Sequence, residues 1–339
     1  MIHYEGRLAI PADYHSELDI RDTEIAIKRI KDQFETQLAD TLNLTRVSAP
    51  LYVRPETGLN DNLNGIERPV SFEIREIKSR VEVVHSLAKW KRMALARYGF
   101  YQNEGLYTDM NAIRRDEDLD NVHSVYVDQW DWELIISHED RTRGTLKKIV
   151  REIYHCLRRT ENHVARDYPC LKKKLPDDIY FITTQDLEDR FPDLKPHQRE
   201  DKICKEKKAV FIMQIGDRLS SGNAHDGRAP DYDDWKLNGD LLLWFPVLER
   251  ALEISSMGIR VDQSSLLAQI EKTGCSERLE LDFHKRILAG TLPFTIGGGI
   301  GQSRLCQYYL DKAHIGEVQA SVWPDWMVEK CSQHKMYLL

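Results

Sequence analysis

The run Ile113-Arg114-Arg115-Asp116-Glu117-Asp118-Leu119, followed a few residues later by Val125-Tyr126-Val127-Asp128-Gln129-Trp130-Asp131-Trp132-Glu133, decides the fold. Both ends are strand-like, and the charged middle reads as the loop between them. At a period of two, Val125, Val127, Gln129, Asp131 and Glu133 share one face of the second strand, apolar first and then polar. Arg114, at the end of the first strand, points into the loop and can grip a phosphate bidentately. Gln129 and Asp131, side by side, suit a small polar ligand with an ammonium group. The plainer alternative is a solvated hairpin with surface ion pairs.

Upstream, Ile27, Ile30, Phe34, Leu38 and Leu42 recur at helical spacing. They predict a helix from Asp22, capped by Asp22 or Thr23. Leu44 to Val53 reads as a strand interrupted by Pro50, which favours an edge or interface position. Val81-Glu82-Val83-Val84 is a strand, and Ser86 is the expected N-cap of a helix over Leu87 to Tyr98. Lys89, Lys91 and Arg92 read by default as that helix's solvated face, and residues 58–65 as a Gly/Asn/Asp turn.

Downstream, Thr145 to Asp167 is a long helix. Residues 171–221 read as a smaller α/β insertion packed on the main domain. Arg228-Ala229-Pro230-Asp231-Tyr232-Asp233-Asp234-Trp235 reads as a solvated acidic loop. Leu241 to Phe245 and Ala251 to Val261 are strand-like, and Glu253 and Arg260 in the latter could meet a metal-bound phosphate and a carboxylate. Gly297-Gly298-Gly299-Ile300-Gly301-Gln302-Ser303-Arg304-Leu305 reads as a strand-to-helix turn whose helix N-terminus attracts anions. It lacks the Lys-[Ser/Thr] of a P-loop. Helix and strand signals alternate throughout, so the class is α/β or α+β. Periodicity does not choose between parallel and antiparallel strands.

Composition narrows the function. The 339 residues are 41% hydrophobic and 30% charged, an ordinary globular mix. The net charge of −7 argues against nucleic acid as a partner. Six cysteines, none in a C-x-x-C pair, predict reduced thiols in the cytoplasm. No long apolar run or secretory leader is visible, so no membrane association is expected.

In chain order, the helix and strand with Pro50, the strand–loop–strand with Arg114 and Glu117, and the glycine run with Arg304 resemble the three signature motifs of class II aminoacyl-tRNA synthetases. The whole set resembles the ammonia-dependent (A-type) asparagine synthetases, or aspartate–ammonia ligases, more closely. The matching runs are Asp61-Asn62-Leu63-x-Gly65, Glu82 to Arg92, Glu104 to Thr108, His123 to Glu133, Arg228 to Trp235, Leu237 to Asp240, Ser255 to Val261 and Ile296 to Leu305. They span roughly residues 22 to 323.

The resemblance implies an α+β fold, a central antiparallel sheet flanked by helices, as a single catalytic domain over 1–339 with an N-terminal arm over 1–21. It implies a homodimer formed through the first motif. It also implies a two-step reaction in which aspartate and ATP give β-aspartyl-AMP and pyrophosphate, and ammonia then displaces AMP. Arg114 would hold the α-phosphate, with Arg115 able to exchange roles with it. Glu117 would read the adenine end, and Arg304 would stack on adenine and meet the distal phosphates. Val127 and Gly301 would complete the nucleotide site. Glu253, with Asp240, would hold Mg²⁺. Gln129 and Asp131 would bind aspartate, with Lys91, Ser86, Ser256, Arg260, Arg228 and Asp233 around it. Asp61 would orient ammonia or take its proton.

Two competing readings remain at this point. A free-standing aspartyl-tRNA synthetase would require an anticodon-binding domain or a basic extension, and neither is seen. A regulatory paralogue would be expected to have lost its phosphate-binding arginines, yet Arg114, Arg260 and Arg304 are all present. An amidotransferase domain with an N-terminal cysteine nucleophile is not expected, because Ile2 follows Met1.

Overall fold

The computed structural model describes residues 2–61, 63 and 67–339; Asn62 and Gly65 of the loop motif lie outside the described residues. The chain opens with a hairpin of β1 (Ile2–Glu5) and β2 (Leu8–Pro11) and then forms α1 (Ile20–Leu42). The expected cap moves upstream, because the Asp19 side chain accepts the Asp22 amide at 2.8 Å. Short strands β3 (Leu44–Arg46) and β4 (Tyr52–Val53) flank Pro50, and β5 (Ser71–Ile74) and β6 (Ser79–Val83) follow. Then come α2 (Ala88–Tyr98), β7 (Gly105–Ile113), β8 (Tyr126–Ile135) and α3 (Arg143–Asp167). Residues 171–221 supply β9 (Tyr180–Thr183), α4 (Thr184–Arg190), α5 (Pro196–Lys207) and β10 (Ala209–Met213). The remainder is β11 (Asp233–Phe245), β12 (Arg250–Arg260), α6 (Gln263–Thr273), α7 (Asp282–Leu288), β13 (Thr295–Gly301), α8 (Gln302–Tyr309) and α9 (Asp325–Gln333).

One eight-stranded sheet organises the molecule, in the order β3-β7-β8-β13-β12-β11-β10-β9. Its pairings are antiparallel except at the two ends, where β3 lies parallel to β7 and β9 to β10. The antiparallel sheet implied by the motifs is therefore present. Strands β4, β6 and β5 form a separate small sheet.

Alternation along β8 divides the sheet into a dry face and a polar one. Trp130, Trp132 and Leu134 are buried in the main core with α1, α3 and α8. The intervening Gln129 and Asp131 line an open cleft. On β12 a bulge changes this phase. Leu241 pairs with Ser255 but Leu242 with Glu253, so Ile254 is the extra residue. As a result Leu252, Ile254, Met257 and Ile259 are all core residues. Glu253, Ser256 and Arg260 share the cleft instead.

The glycine run corrects the sequence reading, for Gly297 to Gly301 lie inside β13 rather than in a turn. Strand β13 passes between β8 and β12, and its glycines make room for the cleft side chains. A Cβ on Gly297 would fall 1.9 Å from Glu133 Oε2, and one on Gly299 2.3 Å from Gln129 Oε1.

Candidate active site

A cleft of about 410 Å³ opens on the polar face of the sheet. It gathers Asp61, Ser86, Lys91, Arg114, Glu117, Val127, Gln129, Asp131, Arg228, Asp233, Glu253, Ser256, Arg260, Gly301 and Arg304. Of the residues singled out from sequence, Asp240 alone is absent from the lining. It stands behind Arg228, whose Nη2 it accepts at 2.6 Å.

One end of the cleft is a buried cage of paired charges. Lys91 reaches up from α2, donates to the Gly298 carbonyl at 2.8 Å and lies 3.4 Å from Asp131. Burial holds its ammonium below the usual lysine range, against the pull of Asp131. Arg260 donates from Nε and Nη2 to Glu133, at 3.0 and 2.7 Å, and from Nη1 to Asp233. Burial alone would raise the Glu133 carboxyl, but Arg260 more than offsets this and holds it low. At Asp233 burial prevails over Arg260 and the carboxyl is raised. Thr295 also donates to Glu133, at 2.6 Å. Asp131 is anchored by the Leu87 amide at 3.2 Å.

The residues read as solvated are buried here. Lys89, Lys91 and Arg92 are within helix α2 and shielded from solvent, as are Asp231 and Asp233. Lys89 donates to Asp231 at 2.8 Å, and His284 of α7 approaches the same oxygen at 2.9 Å. This joins the 228–235 segment to α2. Ser86 does not cap α2, because Leu87 holds that position without a side-chain bond. Its hydroxyl instead donates to Asp61 Oδ2 at 2.8 Å. The other Asp61 oxygen accepts the Leu63 amide at 2.9 Å.

The opposite end is looser. Arg114 lies 3.8 Å from Glu117, with its side chain 26% exposed. Arg304, in the first turn of α8, lies 3.5 Å from the Glu253 carboxylate and donates to the Glu253 carbonyl at 3.1 Å. Arg115 and His123 line this end too. The Ser303 amide at the α8 N-terminus donates to Asp128 Oδ1 at 3.0 Å, and Lys31 of α1 meets the other oxygen at 3.0 Å. Such an arrangement offers guanidinium groups to phosphates at one end and a pre-shaped polar cage to a small zwitterion at the other.

Sequence reasoning missed several lining residues: Tyr232, Asp128, His123, His85 and Gln319. Tyr232 lies next to Asp233, under the Arg260 guanidinium at 5.8 Å from its ring centre. Burial and the nearby Asp61 push its hydroxyl well above the ordinary range. The matching run Arg228 to Trp235 contained it, but nothing local marked it as inward-facing.

The family model described as aspartate-ammonia ligase matches residues 21–335 of the chain. An aspartate–ammonia ligase from Ruminiclostridium cellulolyticum is 65% identical over 97% of this chain and 98% of its own. One from Clostridium tetani is 62% identical, with 98% of both chains covered. Among solved structures, the asparaginyl-tRNA synthetase from Pyrococcus horikoshii, complexed with asparaginyl-adenylate, superposes with a TM-score of 0.65 at 15% identity. The match covers 90% of this chain and 71% of that one. That likeness shows a class II aminoacyl-tRNA synthetase-like fold.

Proposed function

The chain belongs to the aspartate–ammonia ligase family, and from that premise we propose how its cleft divides the reaction. The protein is a carbon–nitrogen ligase that makes asparagine from aspartate and ammonia with ATP. In our reading the β-carboxylate oxygen of aspartate attacks the α-phosphorus of ATP. The bond from that phosphorus to the bridging oxygen breaks, and pyrophosphate leaves. Ammonia then attacks the acyl carbon of β-aspartyl-AMP, the carbon–oxygen bond breaks, AMP leaves, and one nitrogen proton passes to Asp61.

The observation that carries this reading is the convergence of two differently built ends in one cleft. Arg114 takes the α-phosphate, where charge builds in the first transition state. Arg304 covers the adenine and meets the departing pyrophosphate, and Glu117, Val127 and Gly301 complete the nucleotide site. Asp131 and Gln129 receive the substrate ammonium and carboxylate edge, while Lys91, Arg260, Arg228, Ser86, Ser256 and Asp233 surround the diacid. Such a cage excludes water from the mixed anhydride.

Glu253 lines the cleft with its side chain 44% exposed, so it fits the single carboxylate that a phosphate-bound Mg²⁺ needs. Asp240 does not share that role in our reading, since it lies outside the cleft lining and gives one of its two oxygens to Arg228. The ion would neutralise the charge of the leaving pyrophosphate. Among the described residues no cluster of three His, Cys, Asp or Glu side chains is placed to hold a metal alone, consistent with an ion that arrives with ATP.

We also read the protein as a cytoplasmic homodimer. Exposed Tyr52 and Phe72 pair on the small sheet with their rings 5.3 Å apart, exposed Leu51 directly precedes Tyr52, and the group suits a face covered by a second copy. No helix among the described residues is long and apolar enough to cross a membrane.

Aspartate-dependent exchange of pyrophosphate into ATP, without ammonia, tests the adenylate. Exchange is expected, together with AMP and asparagine once ammonia is added. Asparagine formation with ADP and phosphate as products would overturn it.

A further inference from the structure

His85 is buried and lines the cleft beside Asp61 and Ser86. Its Nδ1 lies 3.1 Å from the Asp61 main-chain carbonyl. A carbonyl oxygen only accepts, so the neutral ring carries its hydrogen on Nδ1. Nε2 is then a bare lone pair. It is buried, with no hydrogen-bond partner among the described residues. A buried acceptor left unmatched costs free energy, so its retention calls for a partner that comes and goes. The His85 amide is itself fixed by Asn60 Oδ1 at 2.9 Å, which also accepts the Asp61 amide at 3.0 Å. His85 and Asp61 are thus held as one unit.

We propose that His85 Nε2 is a hydrogen-bond acceptor for substrate ammonia, orienting it beside Asp61 for attack on the acyl-adenylate. This rests on the adenylate reading above and adds the nitrogen site to it. Ammonia has three N–H donors and one lone pair, and only the lone pair forms the new bond. Acceptors on the far side of the nitrogen leave that pair aimed at the acyl carbon. The chemistry also favours a neutral acceptor beside a single carboxylate. Two carboxylates would stabilise ammonium, which has no lone pair to give. One carboxylate and one imidazole hold ammonia while leaving it nucleophilic.

His85→Asn separates the two ring nitrogens, because an Asn amide can still donate to the Asp61 carbonyl but has nothing at the Nε2 position. The expected result is an ammonia KM raised at least about tenfold, with aspartate-dependent ATP–pyrophosphate exchange within about threefold of wild type. An unchanged ammonia KM overturns the inference, and so does an equal loss of exchange and ammonia use. Absence of exchange in the wild-type protein would instead break the adenylate reading, so the two failures are distinguishable.

Wild-type protein provides a second route if the variant does not fold. With ¹⁵N-labelled histidine and a sulfamoyl analogue of aspartyl-adenylate bound, the His85 Nε2 resonance should sit at an unprotonated shift and move on addition of ammonium. A protonated Nε2, or one indifferent to ammonium, overturns the proposal.

Discussion

The two ends of the cleft hold their charges differently. At the end that we assign to aspartate, Arg260 spends Nε, Nη1 and Nη2 on Glu133 and Asp233, and both carboxylates are buried. At the end that we assign to the nucleotide, Arg114 and Arg304 each face a single carboxylate at 3.8 and 3.5 Å, and Glu253 is 44% exposed. At the first end Nε, Nη1 and Nη2 of Arg260 all have a carboxylate partner. The second presents guanidinium hydrogens that phosphates would complete. The difference fits the ligands that we propose for the two ends. A small diacid must be told from its homologues by shape and charge, which requires a rigid cage. A triphosphate brings enough negative charge to organise flexible arginines on arrival.

The largest effect that would break this comparison is expected at Glu133. Glu133→Gln leaves Arg260 with one buried carboxylate instead of two. Disrupting such a pair costs about 3 kcal/mol or more. Chemical denaturation should show that loss, and kcat/KM for aspartate should fall on the order of a hundredfold. Wild-type stability in the variant would mean that the cage is not pre-formed.

Arg304→Ala should behave in the opposite sense. Loss of one preorganised cation at developing phosphate charge is expected to lower kcat/KM for ATP on the order of a hundredfold. Stability should change by no more than about 0.5 kcal/mol, since the side chain is partly solvated. A variant that binds ATP normally but unfolds early would reverse the assignment of the two ends.

These two sites also differ in how legible they were. The helix α1 stripe and the alternation of Gln129, Asp131 and Glu133 are local patterns, and the structure keeps them. The sequence marks Arg260 as able to meet a carboxylate, but not that Glu133, 127 residues away, supplies one. Lys89 and Asp231 looked solvated for the same reason, being 142 residues apart. The bulge at Ile254 cannot be read from composition, so the shared face of Glu253 and Ser256 was invisible to a period of two. The glycine run reads locally as a turn, whereas Gly297 and Gly299 lie inside β13. Their use is the space that Glu133 and Gln129 occupy.

That space gives a smaller, paired test. Gly299→Ala would press a methyl into Gln129 Oε1 and Asp131 Oδ1, at 2.3 and 2.6 Å. Overpacking of this kind costs about 1–3 kcal/mol, and the aspartate KM should rise with it. At Gly301 the atoms nearest an added methyl belong to the Arg304 side chain, its Cβ at 3.3 Å, with no contact under 3.0 Å. Gly301→Ala should leave both stability and the aspartate KM near wild type, with any change confined to ATP. Equal penalties at the two glycines would show that the ends are packed alike.

Salt supplies the smallest and most selective test, because it alters no atom of the protein. Raising ionic strength from about 0.1 to 0.5 M shortens the screening length from ~10 Å to ~4 Å. Charges open to solvent lose attraction, while those shut away from it are screened much less. With free Mg²⁺ held constant, the ATP KM should rise about two- to threefold while the aspartate KM stays nearly flat. The His85→Asn variant should show the same split, since its change lies at the nitrogen site and not among the exposed arginines. A parallel rise in both constants would mean that solvent reaches the Arg260–Glu133 cage as freely as it reaches Arg304, and the distinction between a finished end and an unfinished one would be lost.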